Sequence, residues 1–268
     1  MPSFNSLYSV GPVLGSGGYG TVYKCYERKT RSVYAVKYIP DSKCTRKTYC
    51  KYRDQETPDE IMHWRHLSHP NIIKYVTHFY ENNTWKIVME FCEGYVDLFT
   101  FINKNPKFFN ETKSSSIVSQ TISAVSYCHS KGVDHRDIKD ENMLFNPKTN
   151  DIKLIDFGSA SLFSSKPYTR FQGTDVYIPP EWFIGGEYSA AAAAVWSIGC
   201  LAFVLINGDI PFHNVEETKA DRPLIFKNDK ISSISKKFIR KCLMHLPKDR
   251  MSFKSIEGSS WLRLARFL

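Results

Sequence analysis

The chain has no Cys-x-x-Cys pair, no internal repeat and no low-complexity tail. Its seven cysteines (Cys25, Cys44, Cys50, Cys92, Cys128, Cys200 and Cys242) are odd in number and scattered. That argues against a disulfide framework and fits a reducing cytoplasmic or nuclear compartment. No basic-then-apolar segment opens the chain, so no secretory leader is expected. A long apolar run is also nearly missing. Residues 190–206 are uncharged, but Ser197 and Gly199 interrupt them and no basic cluster flanks them. They fall short of the roughly 20 residues of a comfortable membrane span. The expectation is a central buried helix, apolar all round because other helices enclose it. The net charge is +9, yet no aromatic-and-basic motif for single strands accompanies it, so nucleic acid is not an expected partner. The densest basic stretch, 43–53, reads as a solvated loop. His63, His66 and His69 recur every third residue, but no Cys or carboxylate cluster completes a tetrahedral metal set, so they read as surface and turn residues.

What is present is enough for a core. Hydrophobic residues make up 42% of the 268, aromatics 14%, which excludes a disordered chain. Residues 8–14, 20–27, 33–39, 72–80 and 85–91 are rich in β-branched and aromatic types between Gly or polar turns, as in an antiparallel sheet. One helix is expected at 58–67, with Thr57 as N-cap, Pro58 in the first helical position, and Asp59 and Glu60 at the positive helix end. After Gly94 the pattern turns helical: 97–103, 111–131, 190–207, 235–243 and 253–258, with strand-like pieces at 143–145 and 152–155. The change falls at 91–96, between a sheet-rich and a helix-rich half, and a cleft between lobes is a usual ligand site.

Four motifs occur in order. Gly15, Gly17 and Gly20 form a G-x-G-x-x-G between Leu14 and Val22. Without Cβ atoms, such a hairpin lets backbone N–H groups approach phosphate oxygens. Lys37, in Ala35-Val36-Lys37, is read as pairing with the α- and β-phosphates of ATP. Glu60 is the carboxylate expected to hold it, since neighbouring Asp59 would point about 100° away around the helix. Then comes His135-Arg136-Asp137-Ile138-Lys139-Asp140-Glu141-Asn142, followed by Asp156-Phe157-Gly158. Asp137 would accept the proton of an attacking hydroxyl, and Lys139 would neutralise charge developing on the transferred phosphate. Asn142 and Asp156 supply the oxygen ligands that Mg²⁺, or Mn²⁺ in its place, prefers. Lys139 points to Ser/Thr as the acceptor.

In this order the motifs resemble a eukaryotic protein kinase. More narrowly, residues 10–18, the Asp-Ile-Lys-Asp-Glu-Asn wording at 137–142, Val176-Tyr177-Ile178-Pro179-Pro180-Glu181-Trp182 and Gly208-Asp209-Ile210-Pro211-Phe212 resemble the Pim family of the calmodulin-dependent-kinase-like group. PAS-domain kinase shares the catalytic-loop wording but not the Pro-Pro-Glu-Trp segment. The resemblance implies an α+β, bilobal kinase fold over 8–262, with short flanks at 1–7 and 263–268. An N-lobe (8–90) of antiparallel sheet plus one helix, a hinge (91–96) and a mainly α-helical C-lobe (97–262) are implied. It also implies Met89 as gatekeeper, Glu90 and Cys92 as hinge contacts to adenine, and Asp97 on the ribose. Leu14, Val22, Ala35, Leu144 and Ile155 would sandwich the base. Thr174 would bond near Asp137, and Glu181 would form a buried ion pair with Arg250.

Some residues depart from the family. Cys92 replaces a proline and so keeps an N–H for the hinge. Ala194 stands where most kinases have Asp, as it does in Pim kinases. Trp64 stands where a smaller aliphatic residue is usual. Thr100, Val204 and His213 replace acidic residues, while Asp97, Asp140, Glu141, Asp209 and Glu216 keep the family's acidic character. The resemblance implies protein substrates with basic residues before the acceptor, a monomer without membrane contacts, and activity without activation-loop phosphorylation. Tyr168 and Thr169 are candidate phosphosites, and Arg136 a candidate phosphate receiver. The competing reading is a pseudokinase scaffold of the same fold. Trp64 and Cys92 are its only hints, since Lys37, Asp137 and Asp156 are all present.

Overall fold

The computed structural model describes residues 2–18, 20–44, 46–50, 54–227 and 231–267. The chain separates into two units: residues 1–94 with 156–158, and residues 95–155 with 159–268.

In the first unit, α1 (Phe4–Leu7) leads into β1 (Tyr8–Gly17), β2 (Gly20–Glu27) and β3 (Val33–Pro40). After a hairpin of β4 (Lys47–Cys50) and β5 (Gln55–Pro58) come α2 (Asp59–Trp64), β6 (Tyr75–Glu81) and β7 (Thr84–Glu90). The main sheet is antiparallel, in the order β1-β2-β3-β7-β6. Strand alternation gives it two faces. On one, Tyr8, Cys25, Val36 and Val88 form a core that α1 covers with Phe4, which is fully buried. The Phe4 ring stacks on Tyr8 at 5.4 Å and meets Phe79 edge-on. Burying one such ring contributes roughly 2–3 kcal/mol. Phe4, in the flank before residue 8, is therefore part of the core. The opposite face carries Val22, Ala35, Lys37 and Met89, brought level by the pairs Val22↔Lys37 and Ala35↔Met89.

The region before α2 differs from expectation. Stretch 43–53 is not simply a solvated loop: Lys47–Cys50 is a strand, Cys50 is buried, and Lys47 pairs with Asp41 at 2.8 Å. Thr45 and residues 51–53 of that stretch lie outside the described residues. Thr57 does not cap the helix. It pairs with Thr48 in the β4–β5 ladder, and Pro58 takes the N-cap position with no side-chain bond. The strand runs directly into the helix, so Thr57 is held extended in the sheet. The helix is also shorter than 58–67, because Leu67 N–H turns back three residues to the Trp64 carbonyl. His63, expected at the surface, is buried.

The second unit begins with β8 (Val96–Asp97), α3 (Leu98–Lys104), α4 (Glu111–Ser130), β9 (Val133–Asp134), β10 (Met143–Asn146) and β11 (Asp151–Leu154). It continues with β12 (Ser161–Leu162), α5 (Pro180–Gly185), α6 (Ala190–Asn207), α7 (Val215–Lys219), α8 (Ser233–Cys242) and α9 (Phe253–Glu257). Asn110 caps α4, its side chain accepting from Lys113 N. The apolar α6 is long enough to cross a bilayer, but its buried run from Val195 to Leu205 packs against α4, α8 and α9. Gly199 lets α8 approach: a Cβ there would lie 2.7 Å from Cys242 Cβ. Gly208, in the left-handed region at φ 72°, ends the helix. A five-stranded antiparallel sheet in one unit and helices dominating the other give the two-part α+β architecture of a protein kinase.

Candidate active site

In the first unit the glycine-rich motif is the β1–β2 hairpin, with Gly15 opposite Val22 and Gly17 opposite Gly20; Tyr19 lies outside the described residues. A Cβ added at Gly15 or Gly17 would meet nothing within 4 Å, so the backbone there faces open space. Gly20 is glycine for another reason. A Cβ there would sit 2.2 Å from the Tyr38 carbonyl oxygen. Lys43 donates to the Gly18 carbonyl at 2.8 Å and tethers the tip. Leu14 falls within the second register shift of β1, between Val13 and Gly15, and is half-exposed.

Lys37 is buried on β3, with Nζ 2.7 Å from Glu60 Oε1 and 3.0 Å from Asp156 Oδ1. Burial alone would lower the lysine, but Glu60 and Asp156 outweigh it and hold the ammonium above the ordinary lysine range. Burial raises the Glu60 carboxyl, against the pull of Lys37. Asp59 is committed elsewhere, accepting from Thr48 Oγ1 at 2.7 Å. Asp156 has φ 60°, left-handed for a non-glycine residue, and its Oδ1 accepts from Gly158 N at 3.1 Å. Phe157 is fully buried, its ring stacked on Trp64 at 5.8 Å with 5° between planes. The Trp64 indole N–H donates to the Ile73 carbonyl at 2.7 Å, and Tyr75 meets its ring edge-on. Trp64 is thus accommodated, its one polar group satisfied. Arg46, unmarked by any motif, donates to the Gly158 carbonyl at 2.8 Å. At the end of β7, Glu90 exchanges bonds with Lys74, whose N–H donates to Glu90 Oε1 at 2.7 Å.

In the second unit Asp137 stands among three predicted neighbours. Its Oδ2 accepts from Asn142 Nδ2 at 2.8 Å and lies 3.3 Å from Lys139 Nζ. Its Oδ1 accepts from Thr174 Oγ1 at 3.3 Å, and Lys139 Nζ also donates to Thr174 Oγ1. His135 is buried and bonds the Ile155 carbonyl through Nε2 at 3.2 Å, while Ile155 N–H donates to the Asn142 carbonyl. Asp97 pairs with Leu144 across β8 and β10, and its side chain caps α3. Glu181 and Arg250 form the bidentate pair, both arms at 2.9 Å, with Arg250 5% exposed. Two cavities of about 20 Å³ adjoin Ala194, room for one water each. Sequence reading missed the Tyr177 hydroxyl, which donates to buried Asp140 at 2.9 Å. It singled out Tyr168 only as a candidate phosphosite, and missed both that ring's contact with Arg136 and Tyr188 altogether. Hydroxyl-bearing aromatics carry no motif that would single them out.

These donor sets fit Mg-ATP. Lys37, Glu60 and Asp156 sum to one net negative charge, which suits a divalent cation beside them. With its amide nitrogen committed to Asp137, Asn142 has its side-chain oxygen to offer a hard metal. The open glycine hairpin leaves backbone room for phosphates.

Comparison with known proteins agrees. The protein kinase domain family matches residues 8–262. The chain is 35% identical to serine/threonine-protein kinase pim-2 of Danio rerio, over 97% of this chain and 86% of that one. It is 33% identical to serine/threonine-protein kinase prk-2 of Caenorhabditis elegans, over 97% of this chain and 59% of the other. A PAS domain-containing serine/threonine-protein kinase of Mus musculus is also 33% identical, again over 97% of this chain but only 19% of its own length. The chain belongs to the protein kinase family and, within it, is a Pim-like serine/threonine kinase.

Proposed function

We propose that this kinase transfers the γ-phosphate of Mg-ATP to Ser or Thr in proteins carrying basic residues before the acceptor, and that it does so without activation-loop phosphorylation. The observation that carries the reading is the Asp137 carboxylate, held by Asn142, Lys139 and Thr174. In the proposed roles, Asp137 orients the acceptor hydroxyl and takes its proton, and Lys139 offsets negative charge on the phosphoryl oxygens. Lys37, fixed by Glu60, holds the α- and β-phosphates, while Asn142 and Asp156 hold the metal. Bound Mg-ATP supplies the transferable phosphoryl group and the charge neutralisation that the transfer needs. Leu14, Val22, Ala35 and Met89 are the adenine contacts we assign to the first unit, with Glu90 and Cys92 as its backbone contacts, and Leu144 and Ile155 those we assign to the second, with Asp97 for the ribose.

The basic-substrate reading rests on fewer carboxylates than composition suggests. Asp140 is buried and bonded to Tyr177. Asp209 is paired with Lys227 at 2.7 Å. Glu141 and exposed Glu216 are the groups we assign to reading substrate arginines. A degenerate peptide library tests this: enrichment of Arg or Lys before the acceptor is expected, and its absence would overturn the reading. Nothing further favours a scaffold, since the accommodation of Trp64 removes one of its two hints.

A further inference from the structure

Arg136 has φ 68°, a left-handed conformation that its surroundings hold in place. A guanidinium here would ordinarily seek a carboxylate or phosphate. Among the described residues it makes no ion pair. Its Nε and Nη2 donate to Tyr188 Oη at 3.0 and 2.8 Å, and Nη2 also donates to the Arg170 carbonyl at 2.8 Å. Its Cζ lies 4.2 Å from the centre of the Tyr168 ring. The two tyrosines are joined through the backbone, each N–H donating to the other's carbonyl, at 2.8 and 3.1 Å. The Tyr168 hydroxyl lies 3.0 Å from Asp134 Oδ2 in β9, while Tyr188 is buried. Thr169, between Tyr168 and Arg170, is exposed.

We propose that Tyr168 and Tyr188 are positioning residues: a neutral clamp on Arg136 that fixes the activation segment, and with it the Asp137 loop, where a phosphorylated side chain would otherwise serve. A phosphate would satisfy the guanidinium by charge. Here a ring face, a phenol oxygen and a carbonyl satisfy it without one. The proposal rests on the reading that the kinase is active unphosphorylated, and it names the residues responsible.

The test uses phosphatase-treated full chain and the variants Tyr188→Phe, Tyr168→Phe and Tyr168→Leu. Measured are kcat, KM for ATP, melting temperature, hydrogen exchange over 159–181 and the response to inorganic sulfate. Tyr188→Phe keeps the ring and loses the oxygen that accepts two charged N–H groups. Its kcat is expected to fall about tenfold with KM for ATP unchanged. Exchange over 159–181 should rise, and sulfate, a stand-in for the missing acceptor, should restore part of kcat in this variant but not in the wild type. Tyr168→Leu should behave likewise, whereas Tyr168→Phe, which keeps the face, should stay within about twofold. Wild-type kcat and exchange in both Tyr188→Phe and Tyr168→Leu would overturn the clamp. So would a fall in kcat with neither faster exchange nor a sulfate response, which would mark a merely structural role. If dephosphorylated wild type is itself inactive, the phosphorylation-independent reading fails. The clamp is then judged on exchange alone: faster exchange in the two variants supports it, and unchanged exchange overturns it.

Discussion

Two cations that the sequence marks alike are held in opposite ways. Lys37, in the first unit, sits between two carboxylates. Arg136, in the second, has two tyrosines and a carbonyl and, among the described residues, no ion pair. The difference follows from what each is proposed to meet. Lys37 would meet phosphates, and a site that exchanges one set of anions for another keeps its cation charged when the ligand leaves. Arg136, in the proposed clamp, holds the chain itself. Neutral partners would then secure it without a modification and with little dependence on salt.

The largest effects should come from breaking the charged cluster. Asp156→Asn is expected to lower kcat at least about 10²–10³-fold, in line with the loss of one preorganised electrostatic group. Its side chain is 28% exposed, so thermal unfolding should move little. Lys37→Met should lose comparable activity and destabilise as well, by about 3–5 kcal/mol, because Glu60 is then buried without its cation. Denaturant titration checks this, and equal stability of the two variants would contradict the asymmetry.

Trp64→Leu comes next. It removes the ring stacked on Phe157 and leaves the Ile73 carbonyl without its indole donor. A cost of about 2–3 kcal/mol is expected, together with a lower kcat, because Asp156 is anchored through the residue that follows it. Unchanged kcat at the measured loss of stability would show that Trp64 serves packing alone.

The smallest effect concerns pH. Burial, and then the neighbouring Asp140 carboxylate, push Glu141 up to about 7. Below that pH the group is neutral, and above it the group carries the charge that, in the proposed function, would attract a substrate arginine. KM for an Arg-containing peptide should therefore fall as pH rises from about 6 to 8, and Glu141→Gln should flatten the profile. The raised pKa also works against stability as pH climbs, since the folded state retains a proton that the unfolded chain releases from about pH 4.5 upward.

Much of this was legible in the sequence because motif chemistry is local. The strands of the main sheet, the glycine hairpin, the Asp137 loop and the uniformly apolar α6 follow from spacing and side-chain type within short windows. What was not legible depends on partners far along the chain. Thr57 looked like a cap until the β4–β5 ladder claimed it, and the basic stretch looked solvated although Lys43, Arg46 and Lys47 each find an acceptor. Phe4 looked like a flank, yet an aromatic cluster drawn from β1, β3 and β6 buries it. Tyr168 and Tyr188 gain their meaning only when folding brings both to Arg136.

The most direct measurement is transfer of radiolabelled γ-phosphate from Mg-ATP by phosphatase-treated protein. Arg-rich Ser peptides and matched acidic peptides serve as acceptors, with Asp156→Asn as the blank. Transfer to the basic set by the dephosphorylated wild type, absent in the variant, is the predicted result. No transfer to either set by protein that is demonstrably folded would contradict the account and favour a scaffold of the same fold.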